Sequence, residues 1–322
     1  DPNGIARFSS RGPSPSLQLK PELAATGTYV YTATQKVLKT SAMWSASGYI
    51  DVDGTSFSSP LVAGAAALLK AARPGLTVDQ YRSLLVNSAT PLVLKDEHAV
   101  PVGQTGSGVL NVDAALRGTV AAYPTAIGFG TGGSTVAVSR KLRLANLAGE
   151  TDTFTITALP YGSAPAPVPS QNTVEIPGGE SREVAIDWNQ ADLAAGEYQG
   201  RLRVQGTKTA VDCSIPYWYA VQSEAPRYIR IVSIVEGASP GELWTTAFRF
   251  QVTDASGLPL GNLEPTVTVV SGDGQVTRVQ AEDAQSPGLY RVSARMGPVA
   301  GNNVFRIAVG EITKDVKIVT GY

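Results

Sequence analysis

Gly54-Thr55-Ser56-Phe57-Ser58-Ser59-Pro60, running directly into Leu61-Val62-Ala63-Gly64-Ala65-Ala66-Ala67-Leu68-Leu69, is the stretch on which the fold of this 322-residue chain turns. Gly54 permits a tight turn with backbone angles that other residues avoid. From Ser56 to Ala72 the residues are small or apolar on almost every side, which predicts a helix buried on most of its faces. Pro60 stands near its start, where a missing N–H costs little, and Arg73-Pro74-Gly75 ends it. Ser56 then falls at the helix N-terminus, where free backbone N–H groups and the positive end of the dipole favour negative charge. An oxyanion formed beside a nucleophilic hydroxyl would be stabilised by such groups. The same position equally suits a serine that merely caps the helix.

Working outward, a second helix is predicted after Leu76. Thr77 and Gln80 have capping-box spacing, Asp79 adds an acid in the first turn, and Tyr81, Leu84 and Leu85 give one apolar face. Gly106-Ser107-Gly108 marks a turn before Val109 to Leu116, read as a short strand or turn entering a last helical turn. Beyond about residue 118 the texture changes to strands. Phe154, Ile156 and Ala158 alternate with threonines, and Val184, Ile186 and Trp188 alternate with Glu183, Ala185 and Asp187. Tyr198, Leu202 and Val204 repeat the pattern. Pro177-Gly178-Gly179 is a turn, and Pro165, Pro167 and Pro169 mark an extended loop. Seven further strands are predicted between Tyr228 and Val319, separated by turn sequences such as Gly272-Asp273-Gly274 and Ser286-Pro287-Gly288.

Length and composition bound the function. At roughly 100–150 residues per domain the chain holds two or three domains. Hydrophobic residues at 43% supply packed cores, and charged residues are only 16%. Lys and Arg number 26 against 27 Asp and Glu, so no basic excess exists to hold a nucleic-acid backbone. No run approaches the ~20 apolar residues of a membrane span. Cys213 is the single cysteine, which excludes an internal disulfide, and with His98 as the single histidine no standard zinc site can be built. Cys213 is expected as a small buried hydrophobe. The 33 Gly and 21 Pro suit β-rich domains with many turns. The chain opens at Asp1 rather than Met, which reads as removal of something upstream.

Phe8-Ser9-Ser10-Arg11-Gly12-Pro13, then Leu19-Lys20-Pro21-Glu22-Leu23-Ala24-Ala25-Thr26-Gly27, then the Gly54 motif and its helix, occur in this order. Together they resemble the C-terminal part of the catalytic domain of subtilisin-like serine proteases, and Asn111-Val112-Asp113-Ala114-Ala115-Leu116 resembles the end of that domain. The resemblance covers about the first third of the chain. It implies that Ser56 matches the family's nucleophile and that Gly54, Thr55 and Pro60 match its surroundings. Lys20-Pro21-Glu22 and Gly27 match a supporting loop and strand, while Thr26 stands where the family usually has Pro. Sedolisins carry a similar Gly-Thr-Ser-x-x-x-Pro motif, but Phe8-Ser9-Ser10 and Lys20-Pro21-Glu22 look more like subtilases.

The resemblance also implies what this sequence lacks. Subtilases order their triad Asp, His, Ser along the chain, so Asp, His and the oxyanion Asn are expected upstream. His98 follows Ser56 in the charged segment Lys95-Asp96-Glu97 and is read as a solvated loop residue; Asp51 and Asp53 are read as turn residues. A serine without its base is a poor nucleophile, and within the family loss of the His alone costs roughly 10⁶ in kcat. The chain alone is therefore expected to be nearly inert, a fragment of a secreted endopeptidase that works through an acyl-enzyme on Ser56.

The expected architecture is multidomain. An incomplete α/β remnant spans residues 1–118, a fibronectin-III-like β-sandwich 119–222 and an Ig-like β-sandwich 223–322. A remnant of a parallel α/β fold would expose apolar surface around the Leu61 to Leu69 helix. It is expected to be covered by a retained upstream fragment or a second copy, or to be partly disordered. Protein or peptide is the expected substrate. No cofactor is required, and no regularly spaced ligand array supports calcium. The alternative is a non-catalytic module whose sandwiches mediate substrate, surface or protein interaction. Trp188, Tyr217, Trp218, Tyr219 and Trp244 are candidates for such a surface, although aromatics at strand spacing are more often core.

Overall fold

The computed structural model describes residues 4–14, 17–94, 99–283 and 286–321. They divide into two compact units, residues 1–193 with 197–220, and residues 194–196 with 221–322.

The first unit begins with a two-stranded antiparallel ribbon, β1 (Val30–Ala33) and β2 (Tyr49–Val52), in which Val30 faces Val52 and Tyr31 faces Asp51. Helix α1 (Thr55–Ala72) follows at once, then α2 (Val78–Asn87), the single turn α3 (Val102–Thr105) and α4 (Val112–Arg117). The capping box predicted at Thr77 and Gln80 is present in both directions. The Asn111 side chain caps α4 by accepting from Ala114 N at 2.9 Å. Helices α1, α2 and α4 share a small core of Ala65, Leu69, Leu84, Leu85 and Ala115. Of the parallel sheet expected for an α/β fold, two isolated parallel bridges are present among the described residues here, Ala24 to Val109 and Gln35 to Trp44.

The prediction that α1 is buried on most faces does not hold. Only Ala65 and Leu69 of its 18 residues are buried; Leu61 is 45% and Leu68 60% exposed. The sequence pattern is that of a helix enclosed by other layers, and the helices that pack on it here are α2 and α4, through Ala65 and Leu69. The expected exposure of the Leu61 to Leu69 surface is thus found.

The remainder of this unit is a β-sandwich. The strands are β3 (Val120–Tyr123), β4 (Ile127–Gly132), β5 (Val136–Asn146), β6 (Asp152–Pro160), β7 (Val168–Pro169), β8 (Thr173–Ile176), β9 (Ser181–Gln190), β10 (Gly196–Gly206) and β11 (Cys213–Val221). One sheet has the order β3-β5-β9-β7 and the other β4-β11-β10-β6-β8. The predicted alternation decides the inner faces. Phe154 and Ile156 on β6, Val184, Ile186 and Trp188 on β9, and Leu202 and Val204 on β10 are each 2% exposed or less. Pro169 lies on the short edge strand β7, where a missing donor is tolerated.

Strand β11 departs from this alternation. Eight of its nine residues are buried, so both of its faces are covered. Tyr217 and Tyr219 lie against Trp188, while Trp218, pointing the other way, is 1% exposed. Trp188, Tyr217, Trp218 and Tyr219 are therefore core rather than a binding surface. Cys213 is buried at the start of the strand, and burial pushes its thiol up to about 12. It stays protonated and unreactive at neutral pH.

The second unit is also a two-sheet β-structure. Its strands are β12 (Tyr228–Ile234), β13 (Leu243–Thr253), β14 (Thr266–Ser271), β15 (Gln275–Ala281), β16 (Leu289–Arg295), β17 (Gly301–Val309) and β18 (Ile312–Thr320). They match the seven predicted strands to within a few residues at each end. One sheet runs β12-β13-β16-β15 and the other β14-β17-β18. Phe248, Phe250, Val292, Phe305 and Ile307 form the centre of the core between them, all fully buried.

Candidate functional site

The site is built around the β2–α1 junction. Gly54 is the N-cap of α1 with φ 156°, outside the range a side chain favours, and no side chain caps the helix. Gly54 N donates to Gly27 O at 2.7 Å and Phe57 N to Gly54 O at 3.0 Å. The approach of the two segments is close. A Cβ on Gly27 would lie 2.3 Å from Ser58 Oγ and 3.0 Å from Gly54 O, so Gly27 is required by contact with the motif it precedes by 27 residues. Asp53 Oδ1 accepts from Tyr29 N at 2.7 Å, which ties the end of β2 to the start of the ribbon. Asp53 thus joins two distant segments rather than forming the local turn expected of it. Asp51 lies within β2 opposite Tyr31 rather than in a turn.

Ser56 is the second residue of α1 and is exposed. Among the described residues no side chain hydrogen-bonds its hydroxyl. Thr55 is the first helical residue. Pro60, near the helix start as expected, is the sixth helical residue, so its missing N–H is not one of the free donors of the first turn and is not without cost. Its missing N–H is the one that would have bonded the Ser56 carbonyl four residues earlier. The turn carrying Ser56 is thus held by one intrahelical bond fewer than an ordinary first turn. His98 and the Lys95-Asp96-Glu97 segment lie outside the described residues. Among the described residues no group of three or more His, Cys, Asp or Glu is placed to hold a metal ion.

Supporting contacts reach back from α1. Arg73, its C-cap residue, donates through its guanidinium to the carbonyls of Leu116 and Gly118, and Tyr81 OH donates to Arg73 O at 2.7 Å. Glu22, of the Lys20-Pro21-Glu22 segment, pairs with Arg82 on α2 and lies 3.1 Å from Lys20 Nζ. A cavity of about 490 Å³ opens beside this cluster, lined by Lys20, Glu22, Arg82, Tyr123 and Arg140 among others. No residue of α1 lines it, so it is not a cleft over Ser56.

Burial alone would raise the Glu22 carboxyl; hydrogen bonds and charge from Arg82 and Lys20 outweigh that and hold it below its ordinary 4.5. A carboxylate lowered in the folded state adds stability above its ordinary pKa and loses it as pH falls through the lower folded value. The melting temperature of the first unit is expected to fall as the pH drops below 4.5. In a Glu22→Gln variant, less stable at neutral pH, it should fall less steeply. Parallel acid slopes in calorimetric scans of the two proteins would refute this role.

Three residues that hold the helices to the sandwich were not singled out from sequence. Ser83 and Asn87 are fully buried on α2, one turn apart. Ser83 Oγ donates to Asn87 Oδ1 at 2.9 Å and accepts from Ala122 N at 2.7 Å. Asn87 Nδ2 donates to Thr125 O at 2.7 Å and to Ser214 O, on β11, at 2.9 Å. Arg201, 5% exposed on β10, donates to Tyr161 OH at 2.7 Å and to Ser107 O in the Gly-rich turn. The available signal was a pair of polar residues, Ser83 and Asn87, flanking the apolar Leu84-Leu85-Val86 of one helix. Arg201 carried no signal, because arginine on a strand usually faces water.

Residues 1–117 match the family model described as the Subtilase family, Peptidase_S8. The chain is 26% identical over 245 residues to Minor extracellular protease Vpr of Bacillus subtilis, covering 74% of this chain and 29% of that protein. It is 39% identical over 87 residues to Subtilisin-like protease SBT3.7 of Arabidopsis thaliana, covering 26% of this chain and 11% of that protein. Serine protease AprX of B. subtilis is 31% identical over 124 residues, covering 37% of this chain and 26% of that protein. The chain thus spans less than a third of the length of each of these relatives.

Proposed function

We propose that this chain, whose first 117 residues are a subtilase segment, is the nucleophile-bearing part of a serine endopeptidase, with Ser56 as the attacking residue. The observation that carries the reading is the exposed Ser56 at the start of α1, two residues after the positive-φ Gly54. In the proposed reaction Ser56 Oγ attacks the scissile carbonyl and its proton passes to a His. The peptide C–N bond then breaks, the leaving amine takes that proton, and water hydrolyses the acyl-enzyme. The His, its Asp and the oxyanion Asn are assigned to sequence outside these 322 residues, since the relatives are several times longer. That upstream part would also cover Leu61 and Leu68 on α1. An extracellular setting follows from the likeness to Vpr, which is named as an extracellular protease. Among the described residues no helix is long and apolar enough to cross a membrane.

The test is intact-mass spectrometry after treatment with a fluorophosphonate. The 322-residue chain alone should gain no adduct. A longer chain extended upstream to the length of the relatives' catalytic domains should gain one, and lose it on Ser56→Ala. An extended, folded chain that labels equally with and without Ser56 would remove Ser56 from the mechanism. Labelling of Ser56 in the short chain alone would show that its base lies within these residues.

A further inference from the structure

The cavity of about 490 Å³ beside Glu22 is lined by residues of the first unit alone. Its volume falls within the roughly 300–1,000 Å³ of small-molecule sites. Its wall carries five charged residues, Lys20, Arg82 and Arg140 against Glu22 and Asp79. Two of the cations are answered by one acid. Glu22 accepts from Arg82 through both carboxylate oxygens and lies 3.1 Å from Lys20 Nζ. Asp79 stands 3.9 Å from Arg143, which is not part of the wall.

Arg140 is different. It reaches from β5 to β4, where its Nε donates to Gly128 O at 3.1 Å, and its Nη1 donates to Ser139 O at 3.3 Å. Both partners are neutral carbonyls, and among the described residues no carboxylate pairs with it. The two bonds leave three of the five guanidinium N–H donors uncommitted. The wall as a whole thus carries one positive charge more than it balances. Another part of it is apolar, with Leu17, Leu19, Tyr123 and Pro124. Leu17 has φ 58°, a left-handed angle that a leucine rarely adopts. Backbone strain of this kind gathers at ligand sites.

We propose that this cavity binds a small organic monocarboxylate with an apolar body, its carboxylate received by Arg140. The uncommitted guanidinium donors match a carboxylate in the two-pronged geometry that arginine favours. The apolar body is taken by the leucines and by Tyr123 and Pro124. One uncompensated cation suits one negative charge, and a dianion such as phosphate would bring a second charge with no cation left to meet it. No residue of α1 is involved, so the site is independent of Ser56 and of the peptidase reading.

The test titrates the full chain with N-acetylphenylalanine, with its neutral amide and with inorganic phosphate, read by ligand-observed nuclear magnetic resonance. Saturable binding of the acid is expected at about millimolar affinity, as befits a ligand of this size. The amide should bind about tenfold more weakly or less, and phosphate should not compete. Arg140→Gln should weaken the acid about tenfold or more, with circular dichroism unchanged because the side chain is exposed. Arg140→Lys, which keeps the charge, should retain part of the binding. Asp79→Asn, which removes a negative charge from the wall, should tighten it. No saturable binding of the acid to the wild-type chain would overturn the proposal. So would equal binding of acid and amide, or acid binding that survives Arg140→Gln. Displacement of the acid by phosphate would make the cavity a general anion site and overturn it equally.

Discussion

Trp188→Ala is expected to cost the first unit about 3–5 kcal/mol of stability, the range for truncating a large buried aromatic. Trp188 is 1% exposed and stands at the meeting point of both sheets of the sandwich. Phe129 meets it edge-on at 4.9 Å between ring centroids, Tyr217 at 5.5 Å, and Tyr219 at a tilt at 5.7 Å. Removing it opens a void that three rigid rings cannot close by rotating, so little of the cavity cost is recovered. Its indole N–H is buried without a partner. Trp188→Phe should therefore cost much less, because deleting an unsatisfied donor offsets part of the lost packing. Urea unfolding followed by circular dichroism would separate the variants. The transition of the second unit should stay in place as an internal control. A Trp188→Ala loss below about 1 kcal/mol would show that the cluster repacks, against the interiors expected of close-packed cores.

Asn87→Ala should be nearly as damaging, about 3 kcal/mol, although it removes only a small polar group. The change strips donors from Thr125 O and Ser214 O and the acceptor from the Ser83 hydroxyl, all in or near the core. Each buried group left unpaired costs about 1–3 kcal/mol. Asn87→Asp should be no better, since a carboxylate cannot donate to two carbonyls and would be buried with its charge. The pair can be dissected with Ser83→Ala: the double variant should lose less than the sum of the singles, with a coupling of about 0.5–3 kcal/mol. Strict additivity would mean that the two side chains do not act as one network.

Much of this was legible in the sequence, for local reasons. The capping box at Thr77 and Gln80, the alternation on β6 and β9, and the seven strands of the second unit rest on rules that operate over a few residues. Ser56 was placed correctly at a helix start because Gly54 and the apolar run beside it are adjacent in sequence. What escaped was whatever depends on distant partners. The exposure of α1 could not be read from α1 itself, whose residues are those of an enclosed helix. The need for glycine at position 27 appears only when Ser58 is brought against it. Ser83, Asn87 and Arg201 read as ordinary polar residues until Thr125, Ser214 and Ser107 are placed beside them. Pro60 lies near the helix start as read, but past the first turn, so its missing N–H leaves the carbonyl of Ser56 without its intrahelical partner.

The double-sided burial of β11 bears on how such a protein can change over generations. A sandwich whose strands each keep one wet face can be recombined as a cassette, because its outer surface owes nothing to its neighbours. Here the outward side of β11 is spoken for: its Ser214 carbonyl is matched to Asn87, and Trp218 is sealed from water. A drift in either partner must be answered by the other. Exchange of this sandwich for a homologous one would therefore fail unless positions 83, 87 and 107 travelled with it, and the two segments are bound to be inherited together.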